Sequence, residues 1–159
     1  MPPVPSVRLR AATSGDTAFI VEMARHACVI EDWPLPDPDS EQTQSLLPTA
    51  DDVVLVAEDP NGMSLGAVWT CHHEPPLLVD SDTVAVPELS IAVAPELRRR
   101  GVGGALLDEL IVLCADRYEA ISLNVHQRNP AVHLYERKGF RVVGRGRGAL
   151  GIAMRRALR

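Results

Sequence analysis

Aromatic side chains are scarce in this chain, in which Phe, Trp and Tyr together make up 4% of the 159 residues. Hydrophobic residues still account for 46% and charged residues for 23%, a balance typical of a globular protein with an aliphatic core. No apolar run approaches the roughly 18 residues of a membrane span, and residues 1–10 contain no hydrophobic signal segment. We therefore expect a cytoplasmic protein with no membrane partner, folded as one domain over residues 1–159 with a flexible tail at residues 1–6.

Cysteine is also rare, and no two of the three cysteines form a C-x-x-C pair. Cys28, Cys71 and Cys114 are therefore expected to be reduced thiols of the core. The adjacent His72 and His73 lack a third ligand at a recognisable spacing, so the sequence predicts no metal site.

Basic residues are absent from the whole stretch between His26 and Leu97, which contains fourteen Asp or Glu residues. From Arg98 to Arg159 there are thirteen Lys or Arg residues and five acids. This asymmetry predicts a basic half that binds an anion and an acidic half that attracts a cation, with segregated surface charges as the alternative. A nucleic-acid partner is disfavoured because the net charge is −5 and no aromatic stacking motif is present.

Local patterning predicts strands and helices that alternate along the chain. The predicted strands are residues 7–10, two hairpin strands around Pro60-Asn61-Gly62, Glu88–Val93, Ala120–His126, and two more within residues 140–158. The predicted helices are one that opens at Thr13 with a capping box to Asp16, and residues 41–47, 101–117 and 129–138. This order favours a mixed sheet with helices packed on it.

Two of these elements have a predicted inner face. In the strand Glu88–Val93, alternation places Leu89, Ile91 and Val93 on one face and Glu88 on the other. The helix 101–117 is expected to bury Val102, Ala105, Leu106, Leu110, Leu113 and Cys114.

The most unusual segment is residues 98–104, which read RRRGVGG. A helix N-terminus presents about four unpaired N–H groups and a partial positive charge, and glycines let an anion approach the backbone closely. The segment therefore predicts a phosphate cradle, with a tight turn and solvated arginines as the alternative. A P-loop is excluded because the chain has no Gly-Lys pair, and the dinucleotide pattern G-x-G-x-x-G fails at Leu106.

A family resemblance enters at these residues. The pattern R-x-x-G-x-G at residues 98–103, between LSIAVAPE and ALLDEL, resembles the acetyl-CoA pyrophosphate motif of GNAT N-acetyltransferases. The block NPAVHLYERKGFRVVG, residues 129–144, resembles the late helix of that family with its tyrosine and the following Gly-Phe. The resemblance implies the GNAT acyl-CoA N-acyltransferase fold of the α/β (α+β) class. That fold is a mixed, mostly antiparallel sheet of six to seven strands with about four helices, in which two central parallel strands splay apart.

The resemblance also implies how acetyl-CoA binds. The pantetheine arm would lie between the splayed strands, and a main-chain N–H near residues 91–93 would polarise the thioester carbonyl. The pyrophosphate would take amides from about Arg99 to Gly104, and Asn129 would contact the cofactor body. The implied acetyl-CoA ligands are Ile91, Ala92, Val93, Arg98, Arg99, Arg100, Gly101, Val102, Gly103, Gly104, Asn129 and Tyr135.

Acetyl transfer to an amine needs a base for the ammonium and an acid for the departing thiolate. Tyr135 matches the family's acid, with a core aromatic as the alternative. Glu88 is the predicted base, directly or through water, and a strand-end glutamate in solvent is the alternative. Asn124 stands where some relatives carry a base, and an amide cannot accept a proton at neutral pH. Only one of His72 and His73 can face the site, because adjacent strand residues point to opposite sides.

The acidic segment is expected to form the acceptor side, because family members bind the acceptor between the first helices and the last hairpin. Asp37 and Asp39 would draw a cationic amine, His72 is a further candidate, and Trp33 would stack on the cation or else pack over the core. The glycine-rich hairpin tip GRGRG, residues 144–148, would line the acceptor mouth.

The resulting hypothesis is an acetyl-CoA-dependent N-acetyltransferase acting on a primary amine of a small molecule, an amino acid or a protein N-terminus. A GNAT-like acyl-CoA sensor or partner-binding domain without turnover is the alternative. Members of the family are often dimeric, which leaves a homodimer open, but the sequence shows no interface.

Overall fold

The computed structural model of the protein describes residues 6–30 and 33–158, so most of the predicted tail at residues 1–6 lies outside the described residues. Within that part of the chain, the strands are β1 (Arg8–Ala11), β2 (Val54–Glu58), β3 (Ser64–Cys71), β4 (Glu88–Val93), β5 (Ala120–His126), β6 (Arg141–Arg145) and β7 (Gly151–Ala157). The helices are α1 (Thr17–Ala27), α2 (Glu41–Gln44), α3 (Val102–Cys114) and α4 (Ala131–Arg137).

The seven strands form one mixed sheet in the order β1-β2-β3-β4-β5-β7-β6. All neighbouring pairs are antiparallel except β4 and β5, which are parallel and pair in register at Glu88 and Ser122. The architecture is therefore the open sheet with two central parallel strands that the family resemblance implies.

Local sequence signals account for the boundaries of several elements. Before α1, a 3₁₀ turn at Ser14–Asp16 is closed by the predicted capping contact, in which the Thr13 amide donates to Asp16 at 2.7 Å. At the other end of the fold, Gly139 follows α4 with φ of +94°, the left-handed conformation that ends a helix. The sequence predicts a helix at residues 41–47, and the observed helix α2 is shorter, since it ends at Gln44.

The prediction for the buried face of α3 is correct in part. Val102, Leu106, Leu110 and Cys114 are buried as expected, and Leu107 joins them. Leu113 is 40% exposed, so its predicted burial is wrong, and Ala105 is only half-buried. Helix α3 packs on β2, β3 and β4 through its buried side chains, which include Cys114 of the last turn, whereas the neighbouring Leu113 is left exposed.

The sheet separates two apolar clusters. Leu89 and the partly buried Ile91 and Val93 pack with the side chains of α3 and α4, whereas Ala92 packs with α1 on the other face. The predicted alternation of β4 is thus confirmed. Cys71 and Cys114 are buried, Cys28 is half-buried, and all three are free thiols. None of the described helices combines the length and apolar character needed to cross a bilayer.

Candidate functional site

A cleft of about 1360 Å³ runs through the sheet where β4 and β5 separate. The two strands are pinned together at their amino ends, where the Ser122 amide and hydroxyl both donate to the Pro87 carbonyl, at 3.0 and 3.1 Å. Beyond that point both strands line the cleft, β4 with residues 88–93 and β5 with residues 123–126. The opening between them therefore has a closed end at Glu88 and an open end at Val93.

The start of α3 lies at the open end of this cleft. Gly101, the N-cap residue of α3, has φ of +86°, and no described side chain caps the helix. Arg99 has φ of +64°, so two left-handed residues turn the chain sharply from β4 into the helix. The first-turn amides of a helix have no partner within the helix, and an uncapped start of this kind can bind an anion.

Only some residues of the predicted phosphate cradle lie in the lining of the cleft. Arg98, Arg99, Gly101, Gly103 and Gly104 line the cleft. Arg100 is exposed outside the lining, and the Val102 side chain is buried in the core, which leaves only its main chain for a ligand.

The first turn of α3 also packs against the neighbouring helix. A Cβ added at Gly103 would meet Leu134 of α4 at 3.5 Å, and one added at Gly104 would meet Lys138 at 3.4 Å. Lys138 in turn donates to Asp108 of α3 at 2.9 Å, so an ion pair lies beside the cradle.

Two of the predicted cofactor residues lie in α4 or just before it. Asn129 lines the cleft just before the helix, and its Oδ1 accepts from the Ala131 amide at 2.9 Å. Tyr135 also lines the cleft, is 8% exposed, and packs edge-on against Phe140 with ring centroids 6.0 Å apart. Burial raises the pKa of Tyr135 to about 12, so the phenol stays protonated and can donate a hydrogen bond into the cleft at any ordinary pH.

Glu88, at the closed end, is buried rather than solvent-exposed. Arg147 from the β6–β7 loop donates to both carboxylate oxygens, with Nη2 at 2.8 Å from Oε2, and His73 Nδ1 lies 3.2 Å from Oε2. Burial alone would raise the pKa of this carboxyl, but the hydrogen bonds from Arg147 and His73 lower it to about 2. Glu88 is therefore a fixed negative charge on the side of the sheet that carries α1.

The loop that carries Arg147 is held by Asn124 of β5. The Asn124 Oδ1 accepts from the Arg147 amide at 2.7 Å, and Arg147 Nη2 also donates to the Pro75 carbonyl at 3.2 Å. A Cβ at Gly146 would lie 1.9 Å from that Asn124 oxygen, so the close approach requires glycine. Of the predicted hairpin tip, residues 144–148, Arg147 and Gly148 line the cleft together with residues 149–151, whereas Gly144 and Arg145 belong to β6 and do not line it.

The predicted acceptor residues are only partly brought together. Trp33 lines the cleft, is 49% exposed, and packs edge-on against His126 of β5 with ring centroids 5.5 Å apart. Asp37 and Asp39 are exposed and do not line the cleft. His72 lies outside the lining and contacts Asp52 at 3.2 Å, whereas His73 faces the cleft. The pair follows the end of β3, and His73 is the member that lines the cleft.

Sequence reasoning missed the roles of Arg147 and Asn124 as partners in this site. The GRGRG tip indicated the location of Arg147, but its contact with Glu88 joins residues 59 positions apart and has no local signal. A side pocket of about 180 Å³ is lined by the apolar residues Val29, Ile30, Trp33, Leu35 and Pro95 and by His26 and Arg98.

Known proteins share this sequence pattern and architecture. A family model described as an acetyltransferase (GNAT) domain matches residues 50–142. The chain is 39% identical over 93 residues to a mycothiol acetyltransferase of Propionibacterium freudenreichii subsp. shermanii. That match covers 57% of this chain and 28% of the relative, so the similarity spans less than a third of that protein.

Two solved structures show the same fold over nearly the whole chain. A GCN5-related N-acetyltransferase from Kribbella flavida has a TM-score of 0.71 at 26% identity, covering 95% of this chain and 97% of that one. A phosphinothricin acetyltransferase from Sinorhizobium meliloti in complex with AcCoA has a TM-score of 0.71 at 23% identity, covering 95% and 88%. At 23% identity the second likeness concerns the fold alone.

Proposed function

Because the chain belongs to the GNAT acetyltransferase family, we propose that it transfers the acetyl group of acetyl-CoA to a primary amine by direct attack in a ternary complex. One observation carries the proposal: a single cleft joins the uncapped start of α3 to Tyr135 and Glu88 through the gap between β4 and β5. A donor and an acceptor substrate entering from opposite faces of the sheet would meet in that gap.

The residues at the open end fit the cofactor. The amides at the start of α3 would bind the pyrophosphate, with Arg98 and Arg99 contributing positive charge at the rim. The edge of β4 that faces β5 is open beyond Glu88, so Ile91, Ala92 and Val93 would pair with the pantetheine arm. Acetyl-CoA supplies the activated acyl group in this arrangement.

Two side chains in the cleft are candidates for the proton transfers of the reaction. Tyr135 would donate a hydrogen bond to the departing thiolate, because its hydroxyl remains protonated and borders the cleft. Glu88 is the base predicted from the sequence, and it lies at the closed end of the cleft, where it forms an ion pair with Arg147. Both oxygens of Glu88 already accept hydrogen bonds from Arg147 or His73, so neither is free to take a proton from the acceptor ammonium without losing a partner.

The acceptor would occupy the α1 side of the sheet. The acids among the described cleft residues are Glu88 and Asp108, and each is in an ion pair. The same lining includes five basic residues, namely Arg98, Arg99, Arg137, Lys138 and Arg147. This charge distribution disfavours an acceptor with several positive charges, and the apolar part of the acceptor would lie in the side pocket beside Trp33. A small-molecule amine, an amino acid or a peptide N-terminus meets that description.

The test is release of CoA thiol from acetyl-CoA over a panel of primary amines, with mass detection of the acetylated product. We expect turnover with at least one amine and a loss of kcat of about 100-fold or more in Tyr135→Phe, the size typical of a lost general acid. Tyr118→Phe is the matched control, because Tyr118 does not line the cleft. Stabilisation by acetyl-CoA without turnover of any amine would instead support the sensor, and equal losses in the two variants would remove Tyr135 from the mechanism.

A further inference from the structure

Glu88 is poorly suited to accept a proton. Oε1 accepts from Arg147, and Oε2 accepts from both Arg147 and His73. The side chain of Glu88 is 6% exposed, and its pKa of about 2 lies far below that of an alkylammonium group. The proton that leaves the acceptor ammonium therefore needs a different base, close to Glu88 at the closed end of the cleft.

His73 meets the geometric requirements. It lies two residues beyond the end of β3, whose last residue, Cys71, is paired with Glu88 across the sheet. Its ring lines the cleft, with the side chain 19% exposed, and its Nδ1 faces the Glu88 carboxylate. Because a carboxylate only accepts hydrogen bonds, Nδ1 carries the hydrogen in neutral His73, and Nε2 is left with its lone pair.

We propose that His73 is the general base of the transfer and that Glu88 is a positioning residue that holds the imidazole in its reactive tautomer. This inference rests on the proposed acetyltransferase function. An N–H bond of the acceptor ammonium breaks, its proton passes to His73 Nε2, and the electron pair stays on the nitrogen that attacks the thioester carbon. The carbon–sulfur bond then breaks, the second proton released by the nitrogen balances the one gained by the CoA thiol, and His73 returns its proton to solvent.

The surroundings of His73 determine the direction of its pH dependence. The charged groups that face it are Glu88 of β4 and Arg147 of the β6–β7 loop, and a hydrogen bond with the backbone of Ser45, just after α2, also raises the pKa of the ring. The hydrogen bond to Glu88 raises the pKa of His73 above its usual 6.5, against burial and the charge of Arg147, which lower it. The buried Cys71 thiol on β3 is neutral, because burial raises its pKa to about 12. Activity should therefore rise as the pH passes through a pKa above 6.5.

The experiment combines the pH profile of kcat/KM, for an amine found active in the screen, with an NMR titration of the His73 ring in the free enzyme. We expect the acidic limb of the profile and the ring titration to give the same pKa. Glu88→Gln should lower both values and Arg147→Gln should raise both, since each removes one charge beside the ring. His73→Gln should lose the acidic limb and about 100-fold or more in kcat. His72→Gln, at the exposed neighbour, should keep the wild-type profile.

Each outcome decides the inference. An unchanged acidic limb in His73→Gln would overturn it while leaving the acetyltransferase function intact. Absence of turnover with every amine in the wild-type protein would overturn both. If His73→Gln fails to fold, the wild-type, Glu88→Gln and Arg147→Gln proteins still test it, because disagreement between the kinetic and ring pKa values would exclude His73 as the base.

Discussion

The Glu88 network makes a quantitative prediction about stability in acid. Folding lowers the pKa of Glu88 from 4.5 to about 2 through its contacts with Arg147 and His73. At about 1.4 kcal/mol per pKa unit, ionised Glu88 contributes about 3 kcal/mol to the free energy of unfolding. Because the folded pKa is the lower one, this contribution is complete above pH 4.5 and disappears as the pH falls towards 2.

Glu88→Gln isolates this contribution, since a neutral amide resembles the protonated carboxyl. We expect the variant to be less stable than the wild type by about 3 kcal/mol at pH 6, with the difference shrinking towards zero near pH 2. Asp16, whose pKa is also lowered to about 2 by Arg10, contributes equally to both proteins and cancels in the difference.

The measurement is urea unfolding followed by circular dichroism at a series of pH values between 6 and 2. Glu136→Gln is the control, because Glu136 is an exposed residue of α4 whose contact with His133 is in solvent. Its free energy of unfolding should follow the wild-type curve at every pH. A constant difference between wild type and Glu88→Gln across this range would refute the view that the ion network holds Glu88 ionised.

Two further predictions concern glycines beside the cleft. Gly146→Ala places a methyl group 1.9 Å from the Asn124 oxygen that holds the Arg147 loop, so we expect a higher KM for the amine and an unchanged KM for acetyl-CoA in steady-state kinetics. Gly144→Ala, where nothing lies within 4 Å, should leave both constants unchanged, and matching effects in the two variants would argue against the clash. Gly101→Ala forces a side chain into φ of +86° at a cost of about 1–2 kcal/mol, so acetyl-CoA binding measured by calorimetry should weaken. An unaltered Kd would show that the start of α3 does not hold the cofactor.

Much of the fold follows from local patterns in the sequence. The turn at Pro60-Asn61-Gly62, the alternation along Glu88–Val93 and the glycine that ends α4 all act over a few residues, where backbone dihedral preferences and side-chain periodicity decide the conformation. The uncapped, glycine-rich start of α3 belongs to the same class. For this reason the position of the candidate phosphate cradle could be predicted from the sequence alone.

The chemistry at the closed end of the cleft was decided by the tertiary structure. His73 and Arg147 meet at Glu88 because β3 pairs with β4 and the β6–β7 loop folds over β5, contacts that join residues 15 and 59 positions apart. Periodicity assigned Glu88 to a face of its strand but could not show which side chains would cover that face. The exposure of Leu113 has the same origin, since helical spacing gives the direction of a side chain and the packing partner decides whether it is buried.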